Sequence, residues 1–209
     1  MVMKRPILVA LVGGSGAGKT SVAMKIKEHF SDCADILSMD DYYKNLEPGV
    51  DPRNYNFDTP KAFDFELFIE HLKTLKKGES IEVPVYNMVT YRRESGISRS
   101  FKPGHLVIVE GILVLYSKNL RNLFDFSVYI DAPADERLIR RIERDTRERG
   151  RSIDSIITQY RQFVAPAFKS FIEPQKYFCD IVLPDGAHNT VGLKVIINAI
   201  ENMLKIDKN

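Results

Sequence analysis

Ile7-Leu8-Val9-Ala10-Leu11-Val12 runs directly into Gly13-Gly14-Ser15-Gly16-Ala17-Gly18-Lys19-Thr20, and this join decides the fold. The first six residues are apolar throughout, as in a parallel strand buried on both faces. The next eight match G-x-x-x-x-G-K-[ST], a pattern that works when a strand precedes it and a helix follows. The glycines let the backbone curl so that successive N–H groups point inward at phosphate oxygens. The start of the following helix adds partial positive charge, Lys19 adds a full one, and the Thr20 hydroxyl is placed to ligate Mg²⁺. Gly13 through Ser21 are therefore expected to hold the phosphates of a nucleotide.

Working outward, further short apolar runs fall at residues 36–39, 106–109, 126–130 and 181–183. Helical patterns lie between them, at residues 20–30, 63–76, 133–148, 152–171 and 190–204, and Pro166 is expected to kink or divide the fourth. Strands alternating with helices predict a three-layer α/β domain on a mainly parallel sheet. Residues 80–86 and 97–101 read as a hairpin inserted before the third core strand, within about 80–101, and residues 44–60, with three prolines, as a loop over the site. Ligands of such sheets gather at the carboxyl ends of the strands. Glu110 ends one apolar run and is a candidate for the metal shell. Asp40 and Asp41 end another; of the two, Asp40, the first beyond the run, is better placed to accept a proton from an attacking hydroxyl.

The chain has 209 residues, 30 Lys and Arg against 28 Asp and Glu, and a formal charge of +2. With 44% hydrophobic and 28% charged residues, it excludes wholesale disorder and a general polyanion binder. That length suits one domain over residues 1–209. No run approaches the roughly 18 apolar residues that span a bilayer, and the short apolar stretch after Lys4 and Arg5 is expected to be a first strand rather than a signal peptide. Cys33 and Cys179 form no metal-ligand pattern and are expected to be reduced, so a cytoplasmic protein is expected, with no membrane partner.

The near-neutral total hides one local excess. Arg137, Arg140, Arg141, Arg144, Arg147, Arg149 and Arg151 face only Glu143, Asp145 and Glu148 in a single short segment. On a helix the first five arginines share one arc, while Leu138, Ile139 and Ile142 share the opposite one. Gly150 should interrupt this helix and leave Arg149 and Arg151 on a turn. A hinged arginine lid over about residues 137–155 is expected, closing on a triphosphate and neutralising charge at the transferring group. The segment has no interleaved aromatics for stacking bases, so no nucleic-acid partner is expected.

These residues resemble the uridine (uridine–cytidine) kinases, P-loop enzymes that phosphorylate the 5′-hydroxyl of pyrimidine ribonucleosides. The resemblance runs over roughly residues 6–204 and rests on GGSGAGKTS (13–21), MDDYY (39–43), YNFDTPKAFD (55–64), IEVPVYN (81–87), VEGIL (109–113), RRIERDTRERGR (140–151) and QYRQFVAPAF (159–168). It implies a five-stranded parallel sheet with a nucleoside-binding hairpin and a lid, with ATP as donor (GTP remaining open) and Mg²⁺ as cofactor. By position it implies Asp40 as base, Asp64 at the ribose hydroxyls, and Tyr43, Tyr86, Met88, Tyr91, Arg141 and Gln159 around the nucleoside. It also implies Arg144, Arg149 and Arg151 at the phosphates, Lys19 and Arg144 in catalysis, Thr20, Glu110 and Asp40 at the metal, and a homo-oligomer, often a tetramer. Many relatives carry histidine where this chain has Tyr91, and Asn87 and Met88 replace a common Asp and Phe, which suggests a narrower base preference tilted toward cytidine. Two alternatives stay open: a phosphoribulokinase-like or pantothenate-kinase-like enzyme, for which Arg92 and Arg93 are the relevant basic residues, and a nucleotide-dependent regulatory or RNA-binding NTPase.

Overall fold

The computed structural model describes residues 5–206; residues 1–4 and 207–209, including Lys4 and the two ends of the expected domain, lie outside them. Strand β1 (Ile7–Val12) is buried along its whole length. It pairs in parallel with β5 (Leu106–Gly111) on one side and β6 (Phe126–Asp131) on the other. Outside these lie β2 (Ala34–Ser38) and β7 (Ile181–Pro184), also parallel, giving the order β2-β5-β1-β6-β7. A parallel sheet covered on both faces needs apolar residues pointing both ways. Accordingly Leu8, Ala10 and Val12 join one core, and Ile7, Val9 and Leu11 the other. Helices α1 (Lys19–His29) and α7 (Thr190–Ile206) cover the second face through Val22, Ile26, Leu193, Ile196 and Ile200. Helix α2 (Phe65–Lys76) packs Phe68, Leu72 and Leu75 into the first. Each such side chain, fully buried, stabilises by about 1.5–3 kcal/mol before entropy is counted. No helix among the described residues is long and apolar enough to cross a membrane.

Three expectations change. The hairpin is present as antiparallel β3 (Ile81–Asn87) and β4 (Arg92–Phe101), but β4 starts five residues earlier than its apolar pattern. The cause is local: Asn87 Oδ1 accepts the N–H groups of Val89 and Thr90 at 2.9 and 3.0 Å, and Asn87 O accepts that of Tyr91 at 2.8 Å. This tight turn, with Tyr91 at φ +57°, puts Arg92 opposite Asn87, so polar Arg92–Gly96 form strand without alternation. Second, α2 starts at Phe65 because Asp64 caps it, its Oδ1 accepting from Leu67 N–H at 3.3 Å. Third, Pro166 interrupts the regular α-helix of its segment, as expected, but through wide turns rather than a break in the chain's helical path. After the short α3 (Lys118–Arg121), the chain forms α4 (Ala134–Arg149), α5 (Ile153–Gln159) and the one-turn α6 (Ala165–Ala167). Wide π turns at Tyr160–Val164 and Phe168–Ile172 flank α6, with Ala165 N–H bonded to Tyr160 O and Glu173 N–H to Phe168 O. A wider turn accommodates the proline ring that a regular α-turn would expel.

Candidate active site

All five core strands point the same way, so their carboxyl ends share one edge, and the loops leaving that edge form a cleft. The Gly13–Thr20 loop joins β1 to α1 there. Gly16, at φ +79°, lies against the Arg137 backbone, and a Cβ in that position would collide with it. Arg137 thus buttresses the loop from beneath, its guanidinium 3.8 Å from the Phe168 ring centre and its Nε donating to Ala132 O at 3.1 Å. Lys19 Nζ donates to Gly14 O at 3.2 Å. Its burial pushes the ammonium pKa down, against the opposing pull of Glu110 and Asp40. Ser15, Lys19 and Thr20 line the cleft. Ser21 is exposed and absent from that lining, since one further residue turns it about 100° around α1.

The acids come from neighbouring strands in register. Ser38 ends β2 beside Glu110 of β5, and its hydroxyl donates to Glu110 Oε1 at 2.9 Å. The same Ser38 Oγ caps the short 3₁₀ turn Met39–Tyr42 by accepting Asp40 N–H at 3.3 Å. Asp40 lines the cleft, whereas Asp41 turns outward to Arg99 at 3.3 Å. Glu110 is buried, and desolvation raises its carboxyl pKa although Lys19 opposes the shift. Gln175, which sequence reasoning passed over, fixes the backbone after β5: its Oε1 accepts Leu115 N–H at 2.9 Å and its Nε2 donates to Ile112 O at 2.8 Å.

Opposite the phosphate loop, Tyr43, Phe57, Asp58, Tyr86, Met88, Tyr91 and Ile112 form an aromatic-rich pocket. Tyr43 stacks on Phe63 with ring centres 4.1 Å apart and tilts against Tyr86 at 5.2 Å, while Phe57 stacks on Tyr91 at 5.3 Å. Asp64 is a correction. It lies outside the cleft lining, holding the start of α2 with one oxygen and Arg93 Nη1 with the other at 3.1 Å. The carboxylate facing the cleft is Asp58, buried, with Oδ2 lacking any hydrogen-bond partner and desolvation raising its pKa. Tyr86 Oη is likewise buried and unpartnered. With Arg141 Nε, which also lacks a partner, three residues lining one cleft carry orphaned buried polar atoms, and these call for a polar ligand. The sequence signal for Asp58 was present in Asn56-Phe57-Asp58, where Asn56 Oδ1 accepts Asp58 N–H at 3.0 Å in a turn that buries the acid.

Helix α4 closes the third side, with its amphipathic wheel turned inside out. Arg137, Arg141 and Asp145 are buried, whereas Ile139 is 52% exposed. Arg141, Arg144, Arg149, Arg151 and Gln159 line the cleft. Arg141 donates to Ser15 Oγ at 2.9 Å and to Gln159 Oε1 at 3.0 Å; Arg151 donates to the same Gln159 oxygen at 2.6 Å. Gly150, at φ +62°, ends α4 as expected, but Arg149 is the helix's last residue and only Arg151 lies beyond it. Asp145 accepts Arg144 Nε at 2.9 Å and lies within 3.6 Å of Arg141, Arg149 and Arg151. Burial works to raise its pKa, but Arg144, Arg141 and Arg149 outweigh that and hold it low. Neither Arg92 nor Arg93 lines this cleft; Arg93 ties the hairpin down, donating to Tyr43 O at 2.7 Å, Tyr42 O at 3.1 Å and Asp64.

Thr20, Asp40 and Glu110 offer Mg²⁺ one hydroxyl and two carboxylates beside Lys19. These hard oxygen donors suit that ion when phosphate oxygens and waters complete its shell. No group of three or more His, Cys, Asp or Glu among the described residues forms a metal cage.

Known proteins match both chain and fold. The profile of the phosphoribulokinase/uridine kinase family matches residues 8–192. The chain is 43% identical over 209 residues to a uridine kinase of Clostridium novyi (strain NT), covering 99% of this chain and 100% of that one. It is 43% identical over 205 residues to a uridine kinase of Geobacillus sp. (strain WCH70), covering 97% of each. Among solved structures, a putative fructose transport system kinase from Silicibacter sp. TM1040 superposes with a TM-score of 0.68 at 24% identity, covering 86% of this chain and 90% of that one. A possible uridine kinase from Bacillus stearothermophilus gives 0.63 at 17% identity, covering 88% and 91%. Both structures share the fold.

Proposed function

This chain belongs to the phosphoribulokinase/uridine kinase family, and on that premise we propose that it transfers the γ-phosphoryl group of ATP to the 5′-hydroxyl of a pyrimidine ribonucleoside. One observation carries the reading: residues of the phosphate loop, an aromatic group and Asp40 line one cleft together with Asp58, whose Oδ2 has no partner. The aromatic walls suit a planar base, and Asp58 can accept hydrogen bonds from both hydroxyls of a ribose diol. Asp40 takes the proton of the attacking hydroxyl, while the loop N–H groups and Lys19 hold the donor phosphates in line. The arginines of α4 and the following turn stabilise charge on the moving phosphoryl group and exclude water. Thr20, Glu110 and Asp40 would hold Mg²⁺, which when bound would supply charge neutralisation at the phosphates.

The base preference follows from Tyr91. Held flat on Phe57, its phenol has one fixed reach, so the C4 substituents of the two pyrimidines meet it differently. Cytidine, whose C4 amino group donates to a phenol oxygen, is the preferred acceptor. A homo-oligomer acting on this small-molecule substrate completes the proposal.

ADP release in a coupled assay tests it. Cytidine or uridine should be required for turnover, while ribulose 5-phosphate and pantothenate should fail. Asp40→Asn should lower kcat by roughly 10²-fold or more with ATP affinity kept. Near-normal turnover in that variant, or hydrolysis indifferent to nucleoside, would overturn the reading.

A further inference from the structure

Asp145 is fully buried and lies outside the cleft lining. Its carboxylate is nevertheless the meeting point of four cleft-lining guanidinium groups. Arg144 approaches Oδ1 with Nε at 2.9 Å and Nη2 at 2.8 Å, and Arg149 Nη1 lies 3.5 Å from that oxygen. Arg151 Nη1 and Arg141 Nε sit 3.5 and 3.6 Å from Oδ2. Only Arg144 hydrogen-bonds the carboxylate, the others pairing with it by charge at longer range, and two of the four also reach the phosphate loop at Ser15 Oγ, Arg141 through Nη1 at 2.9 Å and Arg144 through Nη2 at 3.5 Å. Four cations this close repel one another strongly outside bulk water. One carboxylate holds them together yet leaves most of their charge for an anion in the cleft.

We propose that Asp145 is a positioning residue that assembles Arg141, Arg144, Arg149 and Arg151 into a phosphate-binding array before the triphosphate arrives. It is the internal counter-anion, and the substrate phosphates take the opposite side of the same array. The proposal rests on reading the cleft as a phosphoryl-transfer site. A purely architectural role for the residue is separable, because its main-chain carbonyl, which accepts the N–H groups of Gly150 and Arg151, survives any side-chain substitution.

Asp145→Asn keeps the shape and removes the charge. It should lower kcat about tenfold or more while changing the nucleoside KM by less than about threefold. Inorganic tripolyphosphate should raise the Tm of the variant by no more than about half the shift seen in the wild type, since an array that is not assembled beforehand binds the anion more weakly. Combined with Arg144→Gln, Asp145→Asn should cost less than the product of the two separate losses, because the pair shares one ion pair while Arg141, Arg149 and Arg151 still depend on Asp145. An unchanged kcat, an equal or larger tripolyphosphate shift, or losses that simply multiply would overturn the proposal. If Asp145→Asn does not fold, adding Arg149→Gln should restore folding by removing one repelling charge, and failure to do so would also overturn it. A wild type lacking nucleoside-dependent turnover would sink the functional reading, while the tripolyphosphate comparison would still judge Asp145.

Discussion

Asp58 and Asp64 sit in one motif and do opposite work. Asp64 is satisfied by the Leu67 N–H and Arg93, so its chemistry is used within the fold. Asp58 is buried with an oxygen unpartnered, which destabilises the unliganded protein and suits a ligand. The linkage sign is fixed by its raised pKa. Below the ordinary aspartate value of 3.8 both folded and unfolded states are protonated and no penalty exists; the penalty grows as pH rises through the folded pKa. Asp58→Asn should therefore raise the Tm at neutral pH, lose that gain in acid, and cut kcat/KM for ribonucleosides by about 10²-fold. Thermal melts across pH alongside kinetics check both halves; a destabilised but active variant would contradict the assignment. At Tyr91, cytidine should exceed uridine in kcat/KM, and Tyr91→His should narrow the ratio; equal values in the wild type would refute the preference.

Elements were legible where burial alone sets the pattern. The core strands are apolar because both sheet faces are covered, so β1 is found at its expected limits and the others within a few residues. β4 was illegible at its start because Arg92–Gly96 pair through the Asn87 turn, with no apolar face of their own. In α4 the arginine arc was readable as the side turned toward a triphosphate, but not the burial of Arg137 and Arg141, which depends on Asp145, Gln159, Phe168, Ala132 and the phosphate loop. Asp58 was missed because one-dimensional spacing does not distinguish it from Asp64; only burial does. The hairpin anchor yields its own test. Asp64→Ala removes a helix cap worth about 1 kcal/mol and a partly exposed ion pair worth less. It should lower stability by about 1–2 kcal/mol in denaturant melts while leaving kcat within about threefold. A collapse of kcat with stability unchanged would return Asp64 to the ribose.

Across the whole molecule, charge is sorted rather than balanced. The total of +2 conceals a cationic wall made by Lys19 and the arginines of α4 and its following turn, set against Asp40, Asp58 and Glu110 in the same cleft. A parallel sheet with all carboxyl ends on one edge makes that gathering possible, because residues distant in sequence leave adjacent strands in register, as Ser38 and Glu110 do. The central claim is that this cleft joins ATP to the 5′-hydroxyl of a pyrimidine ribonucleoside. The direct measurement is phosphorus NMR of the enzyme with ATP, Mg²⁺ and cytidine, beside an identical sample containing 5′-deoxycytidine. The expected result is ADP and a new nucleoside 5′-monophosphate signal with cytidine, and neither with the analogue that lacks the hydroxyl. Inorganic phosphate released equally in both samples, with no phosphomonoester, would contradict the account.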